Sequence, residues 1–303
     1  MKAKNQSNSK SRSRNTVEII DEEIDPKVAR IIIAKEWDGN DKDVINVLNK
    51  FCKNWKGKKV YFIITCGGFL QFPWDKKITK KQIGSAENQN PEIFEMLAKQ
   101  GEKHLKKILE QNNFIEKLAN ISKFVTFGVD SGSGPRAPHV ELIFLVDLEK
   151  KKYYHIGKFY PTSSPSQKQG LVRFTDLKSC FLKLGKEKVM LLGCHDLNAF
   201  NPRPGRKRTG SWRLKIKDEI KELTKSESPT IILQHPHSTI TDATWRNGWG
   251  QIKKILSENN FWYASAGKYF QKDKHGNPET RLDRKKVLGK SKNLVTSIDF
   301  VFS

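Results

Sequence analysis

Residues 121–160 read ISKFVTFGVDSGSGPRAPHVELIFLVDLEKKKYYHIGKFY, and this stretch decides the class of fold that the sequence predicts. Apolar and polar residues alternate with a period close to two in three segments, FVTFGVD, HVELIFLVDL and YYHIGKFY. The turn-forming segments SGSGPRAP and EKKK separate them. This spacing predicts three consecutive antiparallel strands.

On both sides of this stretch, short apolar runs alternate with longer amphipathic segments. The further strand candidates are RIIIA from Arg30, VYFIIT from Val60, KVMLLG from Lys188, TIILQ from Thr230, FWYASA from Phe261 and LVTSIDFVF from Leu294. Helix candidates follow Asp41 and Pro91 and cover 212–223 and 243–256. Such alternation is typical of layered α/β proteins. We therefore expect a three-layer α/β sandwich with a mixed, mostly parallel sheet and an inserted antiparallel segment.

The chain divides into a polar start and a long globular part. Residues 1–27 are first basic and then acidic, so we expect a disordered tail, and 28–303 are expected to form a single α/β domain. No run of eighteen apolar residues and no secretory signal is present. These absences predict a cytoplasmic protein that does not contact a membrane.

Charge is the most unusual global property of the sequence. The formal net charge is +23, which predicts a polyanionic partner, with nucleic acid or a nucleotide as the first candidate. The alternative is a lysine-rich surface that only keeps the protein soluble. The strongest basic cluster is the segment 203–217, which has no acidic residue. The side chains predicted to bind the substrate are those of Arg203, Arg206, Arg208, Trp212 and Arg246.

Unusual polar groups follow three of the predicted strands. They are TCGG at 65–68, GCHDLN at 193–198 and QHPHST at 234–239. Ligands of open α/β sheets bind beyond the carboxyl ends of parallel strands, where the loops converge. If the three strands are neighbours, their terminal groups should face one cleft.

The polar groups at these strand ends suit a divalent metal ion. His195, Asp196, His235 and His237 supply the ligand set of zinc, manganese or iron in hydrolytic sites. In extended backbone, His235 and His237 project to the same side and could hold one ion. The alternative is that each histidine is a hydrogen-bonded packing residue and that H-P-H forms a turn.

These observations favour a metal-dependent phosphoester hydrolase or nuclease. The predicted catalytic residues are His195, Asp196, Asn198, His235 and His237. Asn198 would orient the phosphate, and a bound metal would lower the pKa of its water and neutralise a phosphate oxygen. The sequence contains neither a P-loop nor a GxGxxG fingerprint, which argues against an NTPase or a nicotinamide enzyme.

Two other functions stay open at the level of the sequence. The same basic face could bind nucleic acid without catalysis, in which case the histidines would be structural. Alternatively, the chain is a Cys/His-dependent hydrolase with Cys66 as nucleophile, since Gly67 and Gly68 would let a substrate approach the backbone. Asp130, His139 and Glu141 flank SGSGPRAP and form a further candidate site for a metal or a phosphate.

Overall fold

The structure is a computed structural model, and it describes most of the chain. The described residues are 17–20, 27–132, 138–161, 170–201, 212–237, 242–256, 261–269, 271–272, 278–279, 288–289 and 291–303. The strands are β1 Val17–Ile20, β2 Val28–Ile33, β3 Val60–Ile64, β4 Leu70–Gln71, β5 Ser122–Gly132, β6 His139–Asp147, β7 Lys152–Gly157, β8 Phe181–Leu184, β9 Glu187–Leu192, β10 Ile231–Gln234, β11 Trp262–Ser265, β12 Gln271–Lys272, β13 Pro278–Glu279, β14 Lys292–Asn293 and β15 Ser297–Phe302. The helices are α1 Asp41–Asn54, α2 Lys80–Ile83, α3 Pro91–Gln111, α4 Phe114–Ala119, α5 Trp212–Glu227 and α6 Asp242–Ile255, with 3-10 helices at Leu177–Cys180 and Asp196–Ala199.

The first sheet is mixed and contains the predicted antiparallel segment. Its strand order is β1-β15-β2-β3-β5-β6-β7, and the short β4 pairs with β5. Strands β15, β2, β3 and β5 are parallel, whereas β5, β6 and β7 form consecutive antiparallel pairs. The predicted α/β fold with a mixed sheet and an inserted antiparallel segment is therefore confirmed.

A second sheet packs face to face against the first. Its order is β14-β11-β10-β9-β8, and its central strands β9, β10 and β11 are parallel. The ring centroids of Phe62 in the first sheet and Trp262 in the second lie 6.0 Å apart. The sequence predicts these strands but does not divide them between two sheets, so the second sheet adds a layer to the predicted sandwich.

Helices cover the outer faces of the two sheets because their apolar stripes need burial. On the first sheet, Phe51 of α1 packs edge-on against Phe300 of β15, with ring centroids 4.6 Å apart. On the second sheet, Trp249 of α6 stacks on Tyr263 of β11 with centroids 3.8 Å apart. Asn90 begins α3 by accepting a hydrogen bond from the backbone N–H of Glu92.

A buried arginine of the first sheet forms an ion pair within that sheet and a hydrogen bond to the second sheet. Arg30 of β2 is fully buried, and its Nε and Nη2 donate to the two carboxylate oxygens of Asp299 in β15, each at 2.6 Å. Its Nη1 donates to the carbonyl of Ser265, at the end of β11, at 3.3 Å. One side chain therefore links the middle of the first sheet to the second sheet.

Part of the predicted tail belongs to the first sheet. Strand β1 pairs antiparallel with β15, with Val17 opposite Phe302. Residues 1–16 and 21–26 lie outside the described residues, and the division into a tail and one domain stays a prediction. Among the described helices, none is long and apolar enough to cross a membrane.

Candidate functional site

The three polar strand ends meet between the two sheets. The segment after β3 contacts the segment after β10, because the Gly67 N–H donates to the Pro236 carbonyl at 3.1 Å. The segment after β10 contacts the segment after β9, because the His237 N–H donates to Cys194 Sγ at 3.2 Å. The three segments therefore form one site, although β3 lies in a different sheet from β9 and β10.

A pocket of about 360 Å³ opens at this meeting point. Both sheets contribute to its wall. The lining residues that bear on chemistry are Asp130, His139, Glu141, Lys158, Cys194, His195 and His237. Its size suits a small molecule, since ligand pockets typically start at about 300 Å³.

The imidazole of His237 lies between two carboxylates. Asp130 in β5 and Glu141 in β6 are direct cross-strand partners, so both side chains stand on the same face of the first sheet. The His237 Nε2 hydrogen-bonds to Asp130 Oδ2, and its Nδ1 lies 3.6 Å from Glu141 Oε2. Burial lowers the pKa of His237, but the two carboxylates raise it further, so the pKa lies well above its ordinary value. His237 is therefore an imidazolium at neutral pH.

Lys158 and Glu141 form a second charged pair beside it. Lys158 follows β7, is 1% exposed, and its Nζ donates to Glu141 Oε1 at 2.7 Å. Burial raises the pKa of Glu141, but Lys158 and His237 hold it well below its ordinary value. Burial also opposes the charge of Lys158, yet Glu141 raises the pKa of this lysine above its usual range. Both groups are therefore charged.

Cys194 is a partly exposed thiol in the pocket wall. Burial raises its pKa, but the neighbouring imidazoles of His195 and His237 lower it further, so the pKa lies well below the ordinary value. The His237 N–H donates to the sulfur and also favours the anion. The surroundings of Cys194 therefore favour the thiolate, which is the nucleophilic form of cysteine.

Positions 67 and 68 of the sequence CGG are glycines because the His237 ring lies where their side chains would be. A Cβ on Gly68 would lie 3.1 Å from the His237 ring and 3.0 Å from Asp130 Oδ2, and φ at Gly68 is +60°. A Cβ on Gly67 would lie 2.7 Å from the His235 carbonyl oxygen. The two glycines thus admit the imidazole, whereas Cys66 beside them is fully buried, and burial raises the pKa of its thiol to about 11. Cys66 is not a suitable nucleophile.

The two histidines of the H-P-H segment have different surroundings. His235 is 1% exposed, and its Nδ1 donates to the Thr65 carbonyl at 2.8 Å. Burial lowers the pKa of His235 to about 4, so this ring is neutral. His235 does not line the pocket. Its surroundings fit the alternative prediction that this histidine is a hydrogen-bonded packing residue.

The Asp196 carboxylate also binds backbone groups and does not line the pocket. Its Oδ1 accepts the N–H groups of Phe159 and Tyr160 at 3.1 and 2.8 Å, and its Oδ2 accepts that of Gly193 at 2.7 Å. Burial raises the pKa of Asp196 to about 7, while these three hydrogen bonds and the charge of Lys158 act in the opposite direction. Asn198 lies two residues further along the 3-10 helix and does not line the pocket.

The predicted metal site is therefore wrong. In the part of the chain that the structure describes, no group of three or more His, Cys, Asp or Glu side chains is arranged to hold a metal ion. Of the four predicted ligands, Asp196 binds backbone N–H groups and His235 binds a backbone carbonyl. The two ring nitrogens of His237 face Asp130 and Glu141. No zinc, manganese or iron cofactor is supported.

The two described residues of the predicted substrate-binding set, Trp212 and Arg246, do not line this pocket. Arg203, Arg206 and Arg208 lie outside the described residues. The guanidinium of Arg173 stacks over the Trp212 ring at 4.7 Å, so this face of Trp212 is occupied. Arg246 is exposed on α6 and lines a separate, smaller pocket together with Trp245 and Trp249.

Two residues of the site had no catalytic role in the sequence-based prediction. Lys158 was not singled out, although a lysine between apolar residues in HIGKFYP signals a charged group inside the fold. Cys194 belongs to the strand-end group GCHDLN at 193–198 but was assigned no role there. Glu141 was named in the lower-ranked candidate beside SGSGPRAP, and the structure places it in the same pocket as His237.

Comparison with known proteins gives similarity at the level of the fold. No family model and no curated protein matches the chain. An amidase from Nesterenkonia sp. is 13% identical, with 84% of this chain and 86% of that chain covered and a TM-score of 0.48. A variant of the Nesterenkonia AN1 amidase, described as a member of the nitrilase superfamily, is 12% identical over 84% and 86% of the two chains, with a TM-score of 0.47. A carbon–nitrogen hydrolase from Helicobacter pylori G27 is 12% identical over 84% and 77%, with a TM-score of 0.42.

The geometry of the site corrects the main functional prediction. The metal-dependent phosphoester hydrolase or nuclease is wrong, because the described residues hold no metal-binding group and the strand-end ligands have other partners. The predicted nucleic-acid or nucleotide partner is wrong as well, because Trp212 and Arg246, the described side chains predicted to bind it, do not line the pocket. The structures named above are described as amidases and a carbon–nitrogen hydrolase, and a further Nesterenkonia structure is described as carrying a covalent addition at its active-site cysteine.

Proposed function

We propose that the protein is a cysteine-dependent hydrolase that cleaves a small amide or ester through an acyl intermediate on Cys194. The observation that supports this proposal most directly is the position of Cys194 in the wall of the pocket, in contact with His237 and beside the buried Lys158–Glu141 pair. A thiolate needs no further base to attack a carbonyl carbon.

The reaction proceeds in two steps. In the first, the Cys194 sulfur bonds to the carbonyl carbon, the bond to the leaving nitrogen or oxygen breaks, and the leaving group takes up one proton. In the second, water loses a proton and attacks the thioester carbon, the C–S bond breaks, and the thiolate is restored. The products are a carboxylic acid and an amine or alcohol, so one water is consumed in each cycle.

The Lys158–Glu141 pair provides fixed charge next to the nucleophile. Lys158 is the buried cation of the pocket and suits the negative oxygen that develops on the carbonyl in both steps. Glu141 keeps Lys158 charged and faces the imidazolium of His237 on its other side. Because these groups are already oriented, the reaction needs little rearrangement of the protein.

The first test is the reactivity of Cys194 toward iodoacetamide at pH 6.5, followed by mass spectrometry of each cysteine peptide. Cys52 is the internal control, because it is also partly exposed but burial raises the pKa of its thiol to about 11. We expect Cys194 to be alkylated at least about 100-fold faster, since an ordinary thiol is less than about 1% ionised at this pH. Equal rates at the two cysteines would contradict the proposal.

The second part of the test uses turnover. Wild-type protein, Cys194→Ser and Cys52→Ser are incubated with p-nitrophenyl acetate and p-nitroacetanilide, and the release of the nitrophenol or nitroaniline is followed. We expect Cys194→Ser to lose nearly all activity and Cys52→Ser to retain it. Undiminished turnover by Cys194→Ser would exclude this cysteine as the nucleophile.

A further inference from the structure

The proposed cysteine hydrolase needs a source for the proton that the leaving group takes up, and the pocket contains two cationic acids. Lys158 is 1% exposed in its side chain, and its Nζ is hydrogen-bonded to Glu141 at 2.7 Å. The His237 side chain is 27% exposed and lines the same pocket. A leaving group in the pocket can therefore reach the imidazole more readily than the ammonium.

The two nitrogens of His237 are not equivalent. Nε2 hydrogen-bonds to Asp130 Oδ2, and this contact fixes the ring and its charge. Nδ1 lies 3.6 Å from Glu141 Oε2, which is longer than a normal hydrogen bond. The proton on Nδ1 is therefore the more weakly held of the two.

The position of the ring relative to the sulfur is fixed by the backbone. The His237 N–H donates to Cys194 Sγ at 3.2 Å, so nucleophile and imidazole are carried by directly bonded segments. Gly68 packs closely against the ring, because a Cβ added there would lie only 3.1 Å from it. The titratable groups facing the ring are Asp130, Glu141 and Cys194.

Resting on the proposed function, we propose that His237 Nδ1–H protonates the leaving group and that Asp130 is the positioning residue that holds His237 for this step. As the S–C bond forms and the bond to the leaving nitrogen breaks, the electron pair stays on nitrogen and takes the proton from Nδ1. His237 is then neutral and accepts a proton from water as that water attacks the thioester. Asp130 keeps its contact with Nε2 throughout and holds the ring in place.

The test compares two probes with the same acyl group and leaving groups of different basicity. p-Nitroacetanilide needs a proton on its leaving nitrogen, whereas p-nitrophenyl acetate releases a stable phenolate without one. For His237→Gln, we expect kcat/KM to fall about 100-fold or more with the anilide, the typical effect of removing a general acid. With the ester we expect a fall smaller by at least about tenfold.

Asp130 and an unrelated histidine provide the comparisons. Asp130→Asn should show the same selective loss in smaller degree, and Asp130→Glu should recover part of the anilide activity. His155→Gln is the control, because His155 also pairs with a carboxylate, that of Glu95, at 3.2 Å but lies outside the pocket. His155→Gln should leave both activities unchanged.

The outcomes separate this inference from the proposed function. Equal losses with the two probes in His237→Gln would overturn the acid role, even if Cys194→Ser is inactive. No turnover of either probe by the wild type, or an active Cys194→Ser, would instead overturn the cysteine hydrolase. If His237→Gln does not fold, the ester-to-anilide ratio of Asp130→Asn decides, and an unchanged ratio there contradicts the inference.

Discussion

At the scale of single residues, the site depends on Gly68, because it has no side chain. Gly68→Ala would force a Cβ against Asp130 Oδ2 and His237 in a backbone with φ of +60°. We expect the variant to lose about 1–2 kcal/mol of stability from the left-handed backbone alone. Alkylation of Cys194 at pH 6.5 should also slow, because the displaced ring no longer supports the thiolate.

Gly185→Ala is a matched control for this prediction. Gly185 has nearly the same φ, +66°, but nothing lies within 4 Å of the position that a Cβ would take. The control should lose similar stability in urea unfolding while Cys194 keeps its wild-type alkylation rate. Slowed alkylation in both variants would mean that backbone strain, and not contact with His237, causes the effect.

For single residues, the sequence predicted which strand ends meet, but the chemistry assigned to them was wrong. The histidines after β9 and β10 were predicted to share a cleft, and His195 and His237 do line one pocket. Metal binding also required the orientations of Asp196 and His235, which are set by contacts with Phe159 and Thr65 far away in sequence. Periodicity contains no information about such contacts.

At the scale of elements, helix α6 packs against the 3-10 helix that follows Cys194. A Cβ on Gly248 would lie 2.4 Å from Leu197 Cγ, so α6 can approach only because this position is glycine. We expect Gly248→Ala to destabilise the fold by about 1–3 kcal/mol through overpacking, despite the better helix propensity of alanine. Urea unfolding measures the change, and slower alkylation of Cys194 should accompany it.

Gly250 lies in the same helix and serves as the comparison. Nothing lies within 4 Å of its potential Cβ, so Gly250→Ala should stabilise the protein by up to about 1 kcal/mol. Opposite signs for the two substitutions would identify packing on Leu197 as the cause. If both variants were stabilised, the close approach of α6 would be refuted.

Elements were also the scale at which the sequence was most informative. The hairpins of 121–160 and the amphipathic helices after Asp41 and Pro91 were predicted because their periods are local properties of the chain. The assignment of β9, β10 and β11 to a second sheet depends on pairing between distant segments. No local pattern distinguishes a strand of one stacked sheet from a strand of the other.

At the scale of the whole molecule, the net charge does not predict the charges of the pocket. The formal charge of +23 is a property of the whole sequence, whereas the pocket combines Asp130 and Glu141 with Lys158 and His237 in alternating contacts. The chemistry of the site is therefore nearly independent of the global excess of basic residues. The alternative of a lysine-rich surface that only keeps the protein soluble stays a prediction.

Removing one partner of the buried ion pair between Arg30 and Asp299 should strongly destabilise the molecule. Asp299→Asn leaves a fully buried guanidinium without its carboxylate, which should cost about 3–5 kcal/mol in urea unfolding. The double variant Arg30→Met/Asp299→Leu should recover much of this loss, because it removes both charges. Glu116→Ala, which breaks the exposed pair with Lys151, is the control and should cause no measurable change.

The position of β15 has a consequence for how the protein is made on the ribosome. This strand lies between β1 and β2, and it pairs in parallel with β2 although Arg30 and Asp299 are 269 residues apart. Until β15 is synthesised, β2 has one unpaired edge whose N–H and C=O groups can bind another strand. Closing so long a loop is slow, and a nascent chain with an open apolar edge is prone to aggregate. The protein should therefore depend on chaperones during translation, and slow synthesis of the residues of β15 should reduce the soluble yield.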